Sequence, residues 1–413
     1  MIRRLRIGAK TLAEWLVVTA ICMGFAALAG QTNLLWRLDG VIYDAGLDAF
    51  RAPPDKDIVI VAIDDRSLAE IGRWPWSRGV HAALIERLAV MGARVIAFDI
   101  ILHEPAPDDV AGDRALAAAI GAHGGVVLPV THATHAARSD GEGRPSAPFA
   151  DAAAALGHIH IELDPDGIAR SVYLWEGMNS ARHPQLALAM LGLDDPARLH
   201  RFTPPEDASQ PGWARAEWMR IPFRGPPGTF QHVSYVDILR GEVPEALLRD
   251  AVVLVGATAV GMGDMVPTPT SGHAGLMPGV EVHANILAAL RRGEVISTVA
   301  PVWVTLSSAL AVLALMLVML RTRPRATLVG AFGFALLLPL GAWWALSQLN
   351  LWFPPASAIL AGMIAYPLWS WRRLEASRRY FDVELEALRT ANAGIDDAAP
   401  ERAGPTPSRA IDS

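Results

Sequence analysis

Cysteine is almost missing from this chain. Of 413 residues only Cys22 is one, so an internal disulfide, a zinc–cysteine cluster and a cysteine nucleophile between residues 31 and 300 are all excluded. That segment must be held by its apolar core, and about 270 residues are enough to build one. Charge is scarce too, at 19% of residues, and residues 302–320, 326–346 and 351–371 carry none. Two catalytic motifs are also absent. The segment Gly256-Ala257-Thr258-Ala259-Val260-Gly261-Met262-Gly263 lacks the Lys-Ser/Thr of a Walker loop. Ser67 stands in no Gly-x-Ser-x-Gly elbow. No internal repeat is visible.

What the chain does have is apolar length in particular places. A helix needs roughly 20 mainly apolar residues to cross the hydrocarbon core. Residues 12–30, 301–320, 326–346 and 351–371 meet that need and are read as four transmembrane helices. Trp343, Trp344, Trp352, Trp369 and Trp371 lie near span ends, where an interfacial belt places them. Arg3, Arg4, Arg6 and Lys10 precede the first span, Arg321, Arg323 and Arg325 follow the second, and Arg372, Arg373, Arg378 and Arg379 follow the fourth. Segment 347–350 has no basic residue. The positive-inside rule then sets residues 1–11 and 372–413 in the cytoplasm and residues 31–300 outside the membrane. The first span also has the layout of a cleaved signal peptide, with Ala27-Leu28-Ala29 as the step to cut. Apolar character continuing through Leu34, Leu35 and Trp36 favours an uncleaved anchor. The formal net charge is −6 although positives cluster at the cytoplasmic ends, so the outer segment is acidic and nucleic acid is excluded as its partner.

Inside the outer segment, Ile58-Val59-Ile60-Val61-Ala62-Ile63 is a continuous apolar run that reads as a strand buried on both faces. Helical spacing follows over 79–91, a second strand over 94–101, a helix over 114–120 and a third strand over 126–130. This alternation signals an α/β extracytoplasmic domain with a mainly parallel central sheet. Residues 132–150 and 194–210 read as loops. Residues 157–161 and 171–175 flank the turn Asp164-Pro165-Asp166-Gly167 and read as a hairpin. Residues 221–223 suggest an edge strand, 186–191 and 235–239 short helices, 251–255 a buried strand and 280–291 a helix.

Ligands bind beyond the carboxyl ends of strands in open α/β sheets. Those ends supply Asp64, Asp65, Arg66, Asp99, Thr258 and Asp264, and Glu281 with His283 opens the last outer helix. Carboxylates, a histidine and a glycine-rich turn suit a polar or cationic small molecule, or a divalent cation through oxygen. A plain structural role stands beside this, since Asp at a strand end also caps the next helix. His158 and His160 fall on one side of an extended strand and suit a metal, but an edge-strand surface pair is the simpler reading. Gly72-Arg73-Trp74-Pro75-Trp76-Ser77-Arg78 is a rigid aromatic plate, fit for a lid or a dimer contact.

Together these residues resemble a known family. Val61-Ala62-Ile63-Asp64-Asp65-Arg66-Ser67, Gly72-Arg73-Trp74-Pro75-Trp76, the Gly92–Asp99 stretch, Asp164-Pro165-Asp166-Gly167, Val255-Gly256-Ala257-Thr258-Ala259 and the Met277–Asn285 stretch are similar, in order, to the CHASE domain of type two. That is a bacterial extracytoplasmic sensory domain followed by three membrane helices. The resemblance implies a receptor sensing an unidentified extracytoplasmic ligand. It also implies a cytoplasmic output, usually a kinase or cyclase. The roughly forty residues after the last span are fewer than a usual catalytic domain, so the expected output is a separate partner or a missing domain. Leu374, Phe381 and Leu388 recur every seven residues, which suits a short coiled coil and a homodimer, and residues from 393 onward read as disordered. No cofactor, catalytic residue or resident metal is expected. The alternatives are a periplasm-facing metal enzyme using Asp64, Asp99, Asp264 and His283, and a structural scaffold of the membrane.

Overall fold

The apolar run at Ile58 forms the strand Ile58–Ile63, fully buried along its length. It pairs in parallel with two strands remote in sequence, Gln231–Ser234 and Val252–Ala257. Beyond Val252–Ala257 the parallel order continues through Val95–Phe98, Val126–His132 and Ala155–His158. The side-chain period of two splits the strands between two cores. Ile58 and Ile60 join Leu254, Val280, Ile286 and Leu287 on one face. Val59, Val61 and Ile63 join Leu84, Leu88, Phe98 and Ile120 on the other. The helix Gly279–Arg292 is buried at every residue from Gly279 to Leu290, which makes it an internal helix and not a surface one. This computed structural model describes residues 9–49, 52–132, 141–203, 209–262 and 264–396. Part of the 132–150 and 194–210 loops, Gly263 and the tail beyond 396 lie outside the described residues, and so does most of the expected disorder.

Two expectations about strands are corrected. Residues 157–161 are not one arm of the hairpin. Gly157 and His158 belong to the parallel sheet, because a Cβ at Gly157 would stand 2.7 Å from the backbone of Leu186 and glycine lets the helix Leu186–Asp194 approach. The hairpin arms are Glu162–Leu163 and Ala169–Ser180, closed by a turn in which Gly167 holds a positive φ of 81°. They form part of a second, antiparallel sheet completed by His183–Pro184 and Ser209–Arg220. Residues 221–223 form no strand. Arg170, only 2% exposed at its side chain, binds Asp44 through two nitrogens and reaches Asp164 and Asp166 through a third. It ties the hairpin to the helix Trp36–Ala49.

The chain divides into two compact units, one of residues 36–300 with 339–354, the other of residues 1–35, 301–338 and 355–413. In the second, Trp15, Val18, Cys22 and Ala26 pack with Val312, Met316, Met319, Ala361, Ala365 and Trp369. Small residues allow close helix approach, as where Gly30 faces Thr305 and Ser308 meets Ser357 at 3.0 Å. Arg373 donates to the carbonyl of Thr322 beyond the end of the helix Pro301–Arg321. Among the described residues, three helices are long and apolar enough to cross a membrane: Ala9–Gln31, Pro301–Arg321 and Pro324–Leu349. The expected span at 351–371 is divided. Leu351–Trp352 pairs as a strand with Ser297–Thr298, and the helix begins only at Ala356. That leaves 16 residues before Arg372, below the roughly 20 that a span needs.

Candidate functional site

The carboxyl ends of the central strands gather only part of the expected cluster. Asp99 follows Val95–Phe98, and its amide donates to the carbonyl of Val255 at 2.7 Å. Its carboxyl shares a hydrogen bond with Asp264. Two glycines make room for this pair. A Cβ on Gly256 would stand 2.6 Å from Cβ of Val280 and 3.3 Å from that of Asp99, and one on Gly279 would meet the Asp264 carboxylate. Burial, then the adjacent Asp264 charge and hydrogen bond, raises the Asp99 pKa well above the usual carboxylate range. Burial also raises Asp264, against the hydrogen bond from Asp99. Both shifts favour a proton held between the two carboxyls.

His283 completes the group from the second turn of Gly279–Arg292. The Gln185 amide fixes its ring. Gln185 Oε1 accepts from the Ala187 amide at 2.6 Å, which leaves Nε2 to donate to His283 Nδ1 at 2.8 Å. By that assignment His283 Nε2 carries the ring proton and faces Asp99 Oδ2, 3.8 Å away. The separation is too long for a direct hydrogen bond. Burial lowers the His283 pKa to about 4, so the ring is neutral. A carboxyl pair beside a neutral imidazole can exchange hydrogen bonds with a polar ligand, or release a proton to water on binding a cation.

The other expected site residues do different work. Asp64 caps the helix Asp65–Ile71: its Oδ1 accepts from the Ser67 amide at 2.8 Å and from the hydroxyls of Ser67 and Ser234. Its strand is separated from that of Asp99 by Val252–Ala257, roughly 9–10 Å across the sheet. Asp65 is exposed. Arg66 lies on the surface with Glu70, Asp237 and Glu242. Thr258 is half-buried, and its amide donates to the carbonyl of Ile63. Glu281 is fully buried and accepts from the amides of Gly228 and Thr229, tying that loop to the helix. The Trp74-Pro75-Trp76 plate packs Trp76 edge-on against Tyr235, whose hydroxyl meets His81 Nδ1 at 2.8 Å.

His158 and His160 are not a surface pair. His158 is the last residue of its strand and is fully buried. Glu176, from Ala169–Ser180, stands beside them, with Oε2 accepting from His160 Nδ1 and from Trp213 Nε1, both at 2.6 Å. Burial works to raise the Glu176 pKa, but the bond from His160 and the neighbouring groups hold it below the usual carboxylate range. The sequence carried one signal for this residue, an acid set among Val172, Leu174 and Trp175 in a largely buried strand.

Two clefts lie elsewhere. One of about 590 Å³ is lined by the acids and arginines Asp55, Asp57, Arg94, Asp194, Arg291 and Arg292. One of about 210 Å³ is lined by Leu47, Phe223, Arg224, Ile296, Leu346 and Asn350.

An α/β domain on a parallel sheet, bracketed in sequence by apolar helices of membrane length, defines a membrane-associated domain with a buried carboxyl pair at its strand ends. The family model of the CHASE2 domain matches residues 17–321, and the chain belongs to that family. CHASE2 is a sensory domain family, and the domain is not itself catalytic. No curated protein and no solved structure matches the chain.

Proposed function

We propose that this protein is a bacterial inner-membrane sensor and not an enzyme. The domain of residues 31–300 faces the periplasm and binds a polar small molecule at Asp99, Asp264 and His283. Binding is passed through four membrane helices to a cytoplasmic signalling partner. The observation that carries the reading is the extent of the family match, which takes in most of the helix Ala9–Gln31, the α/β domain and the helix Pro301–Arg321 as one unit. The basic clusters described above support the orientation. The packing of Trp15, Cys22 and Ala26 among the other membrane helices supports an uncleaved anchor. The fourth crossing is assigned to the first part of Ala356–Asp396, a short span that local thinning of the bilayer accommodates, with Trp369 and Trp371 at its cytoplasmic end. Against the metal-enzyme alternative, Asp64 lies two strands away from Asp99 and is engaged as a helix cap.

Beyond the membrane the same helix runs on to Asp396 and exposes Leu374, Phe381 and Leu388. A heptad repeat of this kind pairs two copies, and a ligand shifts such a pair only through different affinity for its two arrangements. In a Cys22→Ser background, Leu374→Cys in isolated native membranes should form a disulfide between two copies when copper phenanthroline is added as oxidant. Its yield should change when Asp264→Asn alters the carboxyl pair. The same yield in both chains, or no disulfide at all, contradicts coupling between site and tail.

A further inference from the structure

His158, His160 and Glu176 are the one group of three His, Cys, Asp or Glu side chains, among the described residues, whose ligand atoms all lie within 4.8 Å of one another. The carboxyl pair at the strand ends does not use them. His158 Nδ1 is 3.9 Å and His160 Nδ1 is 2.6 Å from the same oxygen, Glu176 Oε2. The second observation is His158 itself. Its side chain is fully buried, and among the described residues neither ring nitrogen has a hydrogen-bond partner. A buried imidazole in that state has lost its water and gained nothing for it. Glu176 Oε1 makes no hydrogen bond either.

We propose that His158, His160 and Glu176 bind one divalent transition-metal ion of the zinc class. Two imidazoles and one carboxylate are a donor set that zinc accepts with a fourth position left open. Calcium and magnesium prefer all-oxygen shells. An ion about 2.0–2.2 Å from each donor holds them roughly 3.2–3.6 Å apart, so His158 closes slightly on Glu176 and His160 moves back from it. The ion takes the place of the proton now shared by His160 Nδ1 and Glu176. That proton moves to His160 Nε2, which at present accepts from the His132 amide at 3.1 Å, so this contact must open. The His160 side chain is 27% exposed and has room to turn. Trp213 Nε1 continues to orient Glu176 from outside the shell. The inference does not depend on which side of the membrane the domain faces.

The test uses the full chain in detergent, stripped with a chelator and then dialysed against zinc. It should retain about one zinc per chain by elemental analysis, and cobalt in its place should give the strong visible absorption of a four-coordinate site. His158→Ala opens a hole in the core, so His160→Ala and Glu176→Gln carry the test, with circular dichroism confirming that each is folded. Each should weaken zinc binding about tenfold or more, while exposed His200→Ala leaves it unchanged. A chain that retains no zinc overturns the proposal. So does unchanged zinc affinity in the folded His160→Ala and Glu176→Gln chains.

Discussion

Gly256→Val should abolish folding of the α/β domain. Gly256 lies in Val252–Ala257, between the strands Ile58–Ile63 and Val95–Phe98. A Cβ there would stand 2.6 Å from Cβ and 2.9 Å from Cγ2 of Val280. Neither partner can yield easily. The strand is paired on both sides, and the helix that carries Val280 is buried at every residue from Gly279 to Leu290. Overpacking a tight core costs about 1–3 kcal/mol for a small intrusion. Gly256→Ala should cost near the top of that range, and the branched valine more than a marginally stable domain can lose. Limited proteolysis and thermal unfolding of the membrane-extracted chain would show it. A Gly256→Val chain that unfolds at the parent's temperature would contradict the close strand–helix approach.

Acid should weaken the domain well before carboxylates in general are titrated. Burial lowers the pKa of His81 to about 4, of His158 to about 3 and of His283 to about 4. In the unfolded chain each returns to about 6.5. Below that pH the unfolded state takes up protons that the folded state refuses, so stability is fully present above about 6.5 and is lost as pH falls toward the folded values. At pH 5 the loss is about 2 kcal/mol for each histidine. The carboxyl pair works the other way. Asp99 has a raised folded pKa, so its contribution is present at low pH and declines as pH rises above the unfolded value near 4. With three such histidines, the expected net effect is destabilisation on acidification. Denaturant unfolding with chelator present, at pH 7.5 and at pH 5, should give a lower midpoint at pH 5. An equal or higher midpoint would show that these rings are not held neutral.

The parallel sheet was legible because its strands are unbroken apolar runs, and such runs have few other places to go. Ile58–Ile63 and Val252–Ala257 fall within a residue or two of where the sequence sets them. The strand Ser209–Arg220 was not legible. Pro211 and Gly212 punctuate its start, and a sheet tolerates a proline there because, among the described residues, that end of the strand pairs only with Ala169–Ser180. The start of the span at 351–371 was set too early, for the opposite reason. Hydropathy records that Leu351 and Trp352 are apolar but not that Trp352 packs edge-on against Tyr43 in the α/β domain. At the site, Asp99, Asp264 and His283 were picked for standing at strand and helix ends, and they do meet. Asp64 was picked on the same ground and is a helix cap, because Ser67 three residues on supplies the amide and hydroxyl it binds. Glu176 could not be found by position at all. Its place beside His158 and His160 follows from how the two sheets sit on each other, and no spacing within the chain encodes that.

Sidedness tests the sensor reading most directly. In the Cys22→Ser background, Val260→Cys puts a thiol at a residue 85% exposed on the α/β domain. Ala387→Cys puts one on the exposed tail helix. A membrane-impermeant maleimide added to intact spheroplasts should label Val260→Cys at once and Ala387→Cys only after the membrane is opened. Labelling of Ala387→Cys in intact spheroplasts, with Val260→Cys protected, would place the sensory domain inside the cell and contradict the account.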